Sequence, residues 1–76
     1  MDVKIFYSSD SGFPTFEVFY GDKYVGNIYT VDGKPGLYFT GEFTFVEQVM
    51  ILGAVWKMVE EKPLERENYP FDSLTW

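Results

Sequence analysis

Hydrophobic and polar residues alternate along four short segments in the first forty residues of the chain. Alternation with a period of two is typical of β-strands that bury one face. Turn residues separate the segments, and Asp32-Gly33 is the strongest of these signals, because a two-residue type I′ turn needs positive φ at both positions. The pattern predicts an antiparallel meander of four strands, at about residues 3–7, 15–20, 24–31 and 37–40.

The lengths of the hairpin loops predict which side chains share a sheet face. A two-residue turn at Asp32-Gly33 and a three-residue loop at Gly21–Lys23 both place Ile28 on the apolar face, opposite Leu37 and Phe16. A loop shorter by one residue before the third strand would mix polar side chains into that face. The predicted apolar face carries Phe16, Val18, Tyr20, Tyr24, Ile28, Leu37 and Phe39, and the other face carries Glu17, Phe19, Val25, Asn27, Tyr29, Val31 and Tyr38.

A helix is predicted at about residues 45–61. Thr44 and Glu47 have the spacing of a capping box, in which each residue's side chain accepts from the other's backbone N–H. Pro63 disfavours helical geometry at the preceding residue and ends the helix. One apolar stripe with three- and four-residue spacing is expected to pack on the sheet: Phe45, Val49, Leu52, Trp56 and Val59.

The opposite side of the predicted helix is apolar as well, with Ile51, Val55 and Met58. A helix that is apolar nearly all round is normally buried on two sides, so a further covering surface is expected there. The whole pattern predicts a single α+β domain over residues 1–62, with the helix packed across one face of the sheet. A short irregular tail follows at residues 63–76.

Composition removes most catalytic chemistry. The 76 residues include no histidine and no cysteine, so the chain lacks an imidazole base, a thiolate nucleophile and the commonest zinc ligands. The carboxylates show neither a calcium-loop spacing nor a facing pair, and the serine-rich segment 8–12 fits turn chemistry. We therefore expect no catalytic residue, no metal site and no cofactor, and we expect that the protein is not an enzyme.

The aromatic content favours an interaction protein. A core of this size cannot enclose 8 Phe, 6 Tyr and 2 Trp, so some rings are expected at the surface or in an interface. The leading hypothesis is a protein–protein interaction domain that self-associates as a homodimer. Its candidate interface residues are Phe19, Val25, Tyr29, Tyr38, Ile51, Val55 and Met58.

The net charge of −6 supports an alternative. An acidic chain repels phosphate backbones, so direct binding of nucleic acid is not expected, whereas a basic partner protein would be attracted. In size and charge alone the chain resembles virus-encoded inhibitors that occupy nucleic-acid-binding surfaces. The candidate acidic contact surface of such an inhibitor or nucleic-acid mimic consists of Asp22, Asp32, Glu60, Glu61, Glu65 and Glu67.

A second alternative is a small-ligand binder that uses the aromatic sheet face, provided that this face has a pocket of roughly 300 Å³ or more. The chain contains no apolar run of about 18 residues, so no membrane span is expected. Its first residues do not read as a secretion signal, which favours a cytoplasmic location.

Overall fold

The computed structural model describes residues 2–8 and 15–70. Four strands form one antiparallel sheet in the order β1-β2-β3-β4, and one helix follows them. This confirms the predicted α+β class, the meander order and the packing of a single helix. The segment predicted as a turn covers residues 8–12, but Ser8 is the last residue of the first strand and is buried. Its residues 9–12 and the last six residues of the predicted tail lie outside the described residues. The elements are β1 (Val3–Ser8), β2 (Thr15–Tyr20), β3 (Lys23–Val31), β4 (Lys34–Phe39), α1 (Phe45–Glu61) and a 3₁₀ turn (Arg66–Asn68).

The β3–β4 hairpin has the predicted two-residue turn. Asp32 and Gly33 have φ values of 52° and 78°, as a type I′ turn requires. The predicted pairing of Ile28 with Leu37 is confirmed. β4 begins three residues earlier than predicted and includes Pro35, which the sheet accommodates because β4 is an edge strand.

The β2–β3 loop is one residue shorter than predicted. Tyr20 pairs with Lys23, so the loop consists of residues 21–22 alone. The predicted pairing farther along these strands, Phe16 with Ile28, is nevertheless confirmed. Both observations hold because a β-bulge between them shifts the register by one residue.

The bulge moves two side chains to faces opposite to those predicted. Val18 pairs with Gly26 whereas Phe19 pairs with Tyr24, so Val25 is the extra residue on β3. Val25 is fully buried in the core, and the Tyr24 ring contacts the Phe19 ring on the other face. The prediction that Val25 belongs to an exposed interface is therefore wrong, because the strict period of two was applied across a bulge.

The core lies between the inner sheet face and α1. Val18, Val25 and Ile51 are its largest fully buried side chains. Tyr69, from the segment after the helix, completes it and is 4% exposed. The buried or nearly buried apolar residues are Ile5, Val18, Val25, Ile28, Ile51, Val55 and Tyr69.

Tyr69 fastens the segment after α1 to both layers. Its hydroxyl lies 2.6 Å from the Lys62 carbonyl and 3.2 Å from the Met58 carbonyl, and donates at the end of the helix. Its own carbonyl accepts from the Tyr7 N–H of edge strand β1 at 2.7 Å. Burial raises the pKa of this phenol. The predicted tail is thus part of the packed structure as far as Tyr69.

Substituting Gly26 tests the bulge. A Cβ at this position would overlap the carbonyl oxygen of Tyr38 on the neighbouring strand, so Gly26→Ala must displace backbone. We expect a loss of more than about 2 kcal/mol in unfolding free energy, measured by urea denaturation. Gly53→Ala is the control, because a Cβ built at that position meets no atom within 4 Å outside its chain neighbours and the backbone of its own helix. A loss at position 26 no larger than at position 53 would contradict the close approach.

The predicted capping box is present at the start of α1. The Glu47 N–H donates to the Thr44 hydroxyl at 3.1 Å, and the Thr44 N–H donates to the Glu47 carboxylate at 2.9 Å. The backbone N–H of Thr44, with its hydroxyl and then Lys23, lowers the pKa of Glu47. A lowered folded-state pKa stabilises the fold above the unfolded-state pKa, and this contribution is lost as pH falls through the folded-state value.

Two variants test this cap by urea denaturation between pH 7 and pH 3. Thr44→Ala should lower the unfolding free energy by about 1 kcal/mol at pH 7, because an N-cap hydroxyl is lost. Glu47→Gln keeps an acceptor for the Thr44 N–H, so its unfolding free energy should fall less steeply with acid than that of the parent chain. Equal acid dependence in the parent and the Glu47→Gln variant would contradict the assignment.

Candidate interaction surface

The side of α1 that meets the sheet is the side predicted to be exposed. Ile51 is fully buried, Val55 is 5% exposed, and Met58 is partly buried against the core. The two sides of the helix are therefore reversed relative to the prediction. Both stripes have the three- and four-residue spacing of a packed helix face, so the spacing identifies both but does not indicate which of them is buried. Ile51 and Val55 are core residues and do not form a surface.

Four of the five residues of the stripe predicted to lie in the core are exposed instead, and the fifth, Val59, is partly buried against the core as predicted. Phe45 is 82% exposed and Trp56 is 58% exposed, and the two residues between them in the stripe are about half exposed. Val46 and Met50 extend the same apolar surface around the helix. We call the four exposed residues of the predicted stripe the α1 seam. They are Phe45, Val49, Leu52 and Trp56.

The α1 seam borders a part of the sheet that the helix leaves uncovered. The backbone of α1 approaches β1 more closely than the other strands. An apolar groove remains between the helix and β4, where Leu52 and Trp56 face Pro35 and Leu37. The groove encloses only about 30 Å³, whereas ligand pockets hold at least roughly 300 Å³, so it is a contact surface rather than a ligand pocket.

The outer face of the sheet carries a second group of aromatic side chains. Phe19 packs edge-on against Phe6 and Tyr24, with ring centroids 5.9 and 5.4 Å apart. Tyr29 and Tyr38 are more open, and Tyr38 is 59% exposed. Burial raises the pKa of Tyr24, and the Glu17 carboxylate beside it acts in the same direction.

A second, more open cavity lies at the β1 edge of the molecule. It has a volume of about 330 Å³ and is bounded by β1, the end of α1 and the segment through Pro70. Neither this cavity nor the groove is lined by Tyr29 or Tyr38. Binding of a small ligand at the aromatic sheet face therefore stays a prediction.

The six residues of the candidate acidic surface are exposed but do not all lie together. Asp22 and Asp32 occupy the turns at opposite ends of β3, which places them about 30 Å apart at the usual rise of a strand. The other four follow one another between residues 60 and 67, where Lys62 and Arg66 lie over the Tyr69 and Tyr7 rings. Within residues 2–8 and 15–70, histidine, cysteine and acidic side chains form no group of three suited to a metal ion.

Comparisons with protein-family models, with curated proteins and with solved structures found no significant match to this chain. Over the part of the chain that the structure describes, no helix is both long enough and apolar enough to cross a membrane. The candidate surface is therefore defined by its geometry and chemistry alone.

The neighbouring residues Ile51 and Leu52 test the orientation of α1. Ile51→Ala should lower the unfolding free energy by about 2–5 kcal/mol, because it removes a fully buried side chain. Leu52→Ala removes a side chain of equal size that is 49% exposed, and should cost less than about 1.5 kcal/mol. Both values are measured by urea denaturation at a dilution where light scattering shows a monomer. A larger loss for Leu52→Ala would mean that the seam is the buried side.

Proposed function

We propose that this protein is a non-catalytic protein–protein interaction domain that self-associates through the α1 seam. The observation that carries the proposal is the exposure of a continuous apolar stripe on a helix whose neighbouring stripe already forms the core. A surface helix of a single domain normally presents polar side chains to water. Aromatic and large aliphatic side chains on a helix surface are typical of interface anchors.

The extent of the surface supports an interface. Taking about 150–250 Å² for an aromatic residue and less for an aliphatic one, the exposed fractions of the seam residues with Val46 and Met50 correspond to roughly 600 Å² of surface. The largest apolar patch on a typical monomer is about 300–600 Å². Two copies that cover this surface would bury about 1,200 Å², the lower end of the range for specific interfaces.

Composition supports a role without catalysis. The chain offers neither imidazole nor thiol, which are the side chains most readily used as base and nucleophile near neutral pH. The outer sheet face, with Phe19, Tyr29 and Tyr38, stays available as a second contact surface. The acidic inhibitor hypothesis has less support, because its six residues do not form one continuous patch. Asp22 and Asp32 lie at opposite ends of β3.

Light scattering after size exclusion, over a concentration series, tests the proposal. We expect the mass to rise from the 8.9 kDa of one chain toward twice that value. The double variant Val49→Glu with Trp56→Glu should stay monomeric, because it introduces charge into the seam. The matched control Tyr29→Glu with Tyr38→Glu adds the same charge to the outer sheet face and should still dimerise. Circular dichroism checks that both variants are folded.

Each other result contradicts part of the proposal. A parent chain that stays at 8.9 kDa up to millimolar concentration would overturn self-association. Dimerisation lost only in the Tyr29/Tyr38 variant would move the interface to the outer sheet face. Added salt separates this proposal from an acidic mimic, because like-charged copies of net charge −6 associate more strongly when screened, whereas binding to a basic partner weakens.

A further inference from the structure

The seam has the spacing of a helix that packs against another helix. Its residues, continued by the half-buried Val59, are separated by four, three, four and three residues. This is the repeat with which two helices interlock along a shared seam. The buried stripe of α1 has the same spacing and packs on the sheet, so the spacing fits a helix as the occupant without requiring one.

The order of side-chain sizes along the seam favours an antiparallel partner of the same sequence. Running from Phe45 to Val59, large and small side chains are arranged so that reversal about Leu52 brings Phe45 opposite Val59, and brings Val49 within one residue of the position opposite Trp56. Each large side chain then meets a small one, as close packing requires. A parallel copy would set the large rings against each other and valine against valine.

The charges at the ends of α1 favour the same arrangement. Within the described residues, the last turn of α1 contains Glu60 and Glu61 and no basic side chain. The negative end of a helix dipole is an unfavourable position for these carboxylates. An antiparallel partner brings the positive end of its own helix close to these carboxylates, together with the single carboxylate of Glu47 in its first turn. A parallel partner would place four carboxylates side by side, and like charges repel.

We propose that two copies of the chain pair through their α1 seams in antiparallel orientation, about a two-fold axis that passes near Leu52. The inference rests on the proposed self-association and adds its geometry. Gly53 lies next to the axis, and the space in which its Cβ would stand is open, so the two helix backbones are free to approach closely there. In this arrangement the contact between Val49 of one copy and Trp56 of the other occurs at two places, one on each side of the axis.

Mixing two charge variants tests this contact. Val49→Lys and Trp56→Glu should each weaken dimerisation when alone, since each places a charge against an apolar side chain at both contacts. In an equimolar mixture, the antiparallel heterodimer joins the two new opposite charges at one contact and keeps the native contact at the other. We expect the mixture to dimerise at least about tenfold more tightly than either variant alone, measured by sedimentation equilibrium.

The control mixture combines Val49→Lys with Val49→Glu. If the pair is antiparallel, this mixture should dimerise no more tightly than either variant alone. Tighter dimerisation of this control mixture would establish a parallel pair and overturn the inference. Recovery in neither mixture, while the parent chain dimerises, would overturn the inference and leave the proposed function standing. A parent chain that never dimerises would overturn both, so the two failures are distinguishable.

Disulfide cross-linking between introduced cysteines gives a second measurement if a charge variant does not fold. The chain has no cysteine of its own, so Val49→Cys and Trp56→Cys introduce the sole thiols. Oxidation of the mixture by air should favour the disulfide between the two different variants, because those positions face each other in the antiparallel pair. Preference for disulfides between two Val49→Cys copies would overturn the arrangement.

Discussion

The mismatch in width between one helix and four strands determines the exposed surfaces of this molecule. Strands spaced about 4.8 Å apart make a sheet about 14 Å across, whereas a helix with its side chains is about 10 Å wide. Because α1 approaches β1 most closely, the uncovered strip of the inner face lies along β4. Leu37 and Phe39 pack against the core only partly for this reason, and the α1 seam stands beside them. The groove is thus a consequence of where the helix sits.

Tyr69 explains why α1 sits toward β1. The hydroxyl of this residue donates a hydrogen bond to the Lys62 carbonyl at the end of the helix, and its own carbonyl accepts one from the Tyr7 N–H on the β1 edge. Its ring also contacts the Phe16 ring on β2, with centroids 6.0 Å apart. This clasp gives the β1 side of the helix a second apolar neighbour, so Ile51 and Val55 become the deeply buried stripe. The seam side has only the edge strand beside it.

The fold was predictable from the sequence because its signals are local. The Asp32-Gly33 turn, the Thr44 capping box and the helix end before Pro63 each depend on a few adjacent residues, and each was found where predicted. The β2–β3 loop was predicted wrongly because two solutions bring Phe16 opposite Ile28: a three-residue loop, or a two-residue loop with a bulge. The bulge requires Gly26 to lie against the Tyr38 carbonyl, a contact between strands that local pattern does not contain.

The candidate surface was predicted only in kind. Surplus apolar residues on α1 were expected, but Ile51 and Val55 were placed outside and Phe45 and Trp56 inside, the reverse of the structure. Both stripes satisfy the same helical period, and only one of them shares the core with Tyr69, which lies eight residues beyond the helix. The two stripes also differ in side-chain size, because the buried stripe uses the aliphatic residues Ile51, Val55 and Met58. The seam carries Phe45 and Trp56, which are 82% and 58% exposed and offer the larger area to a partner.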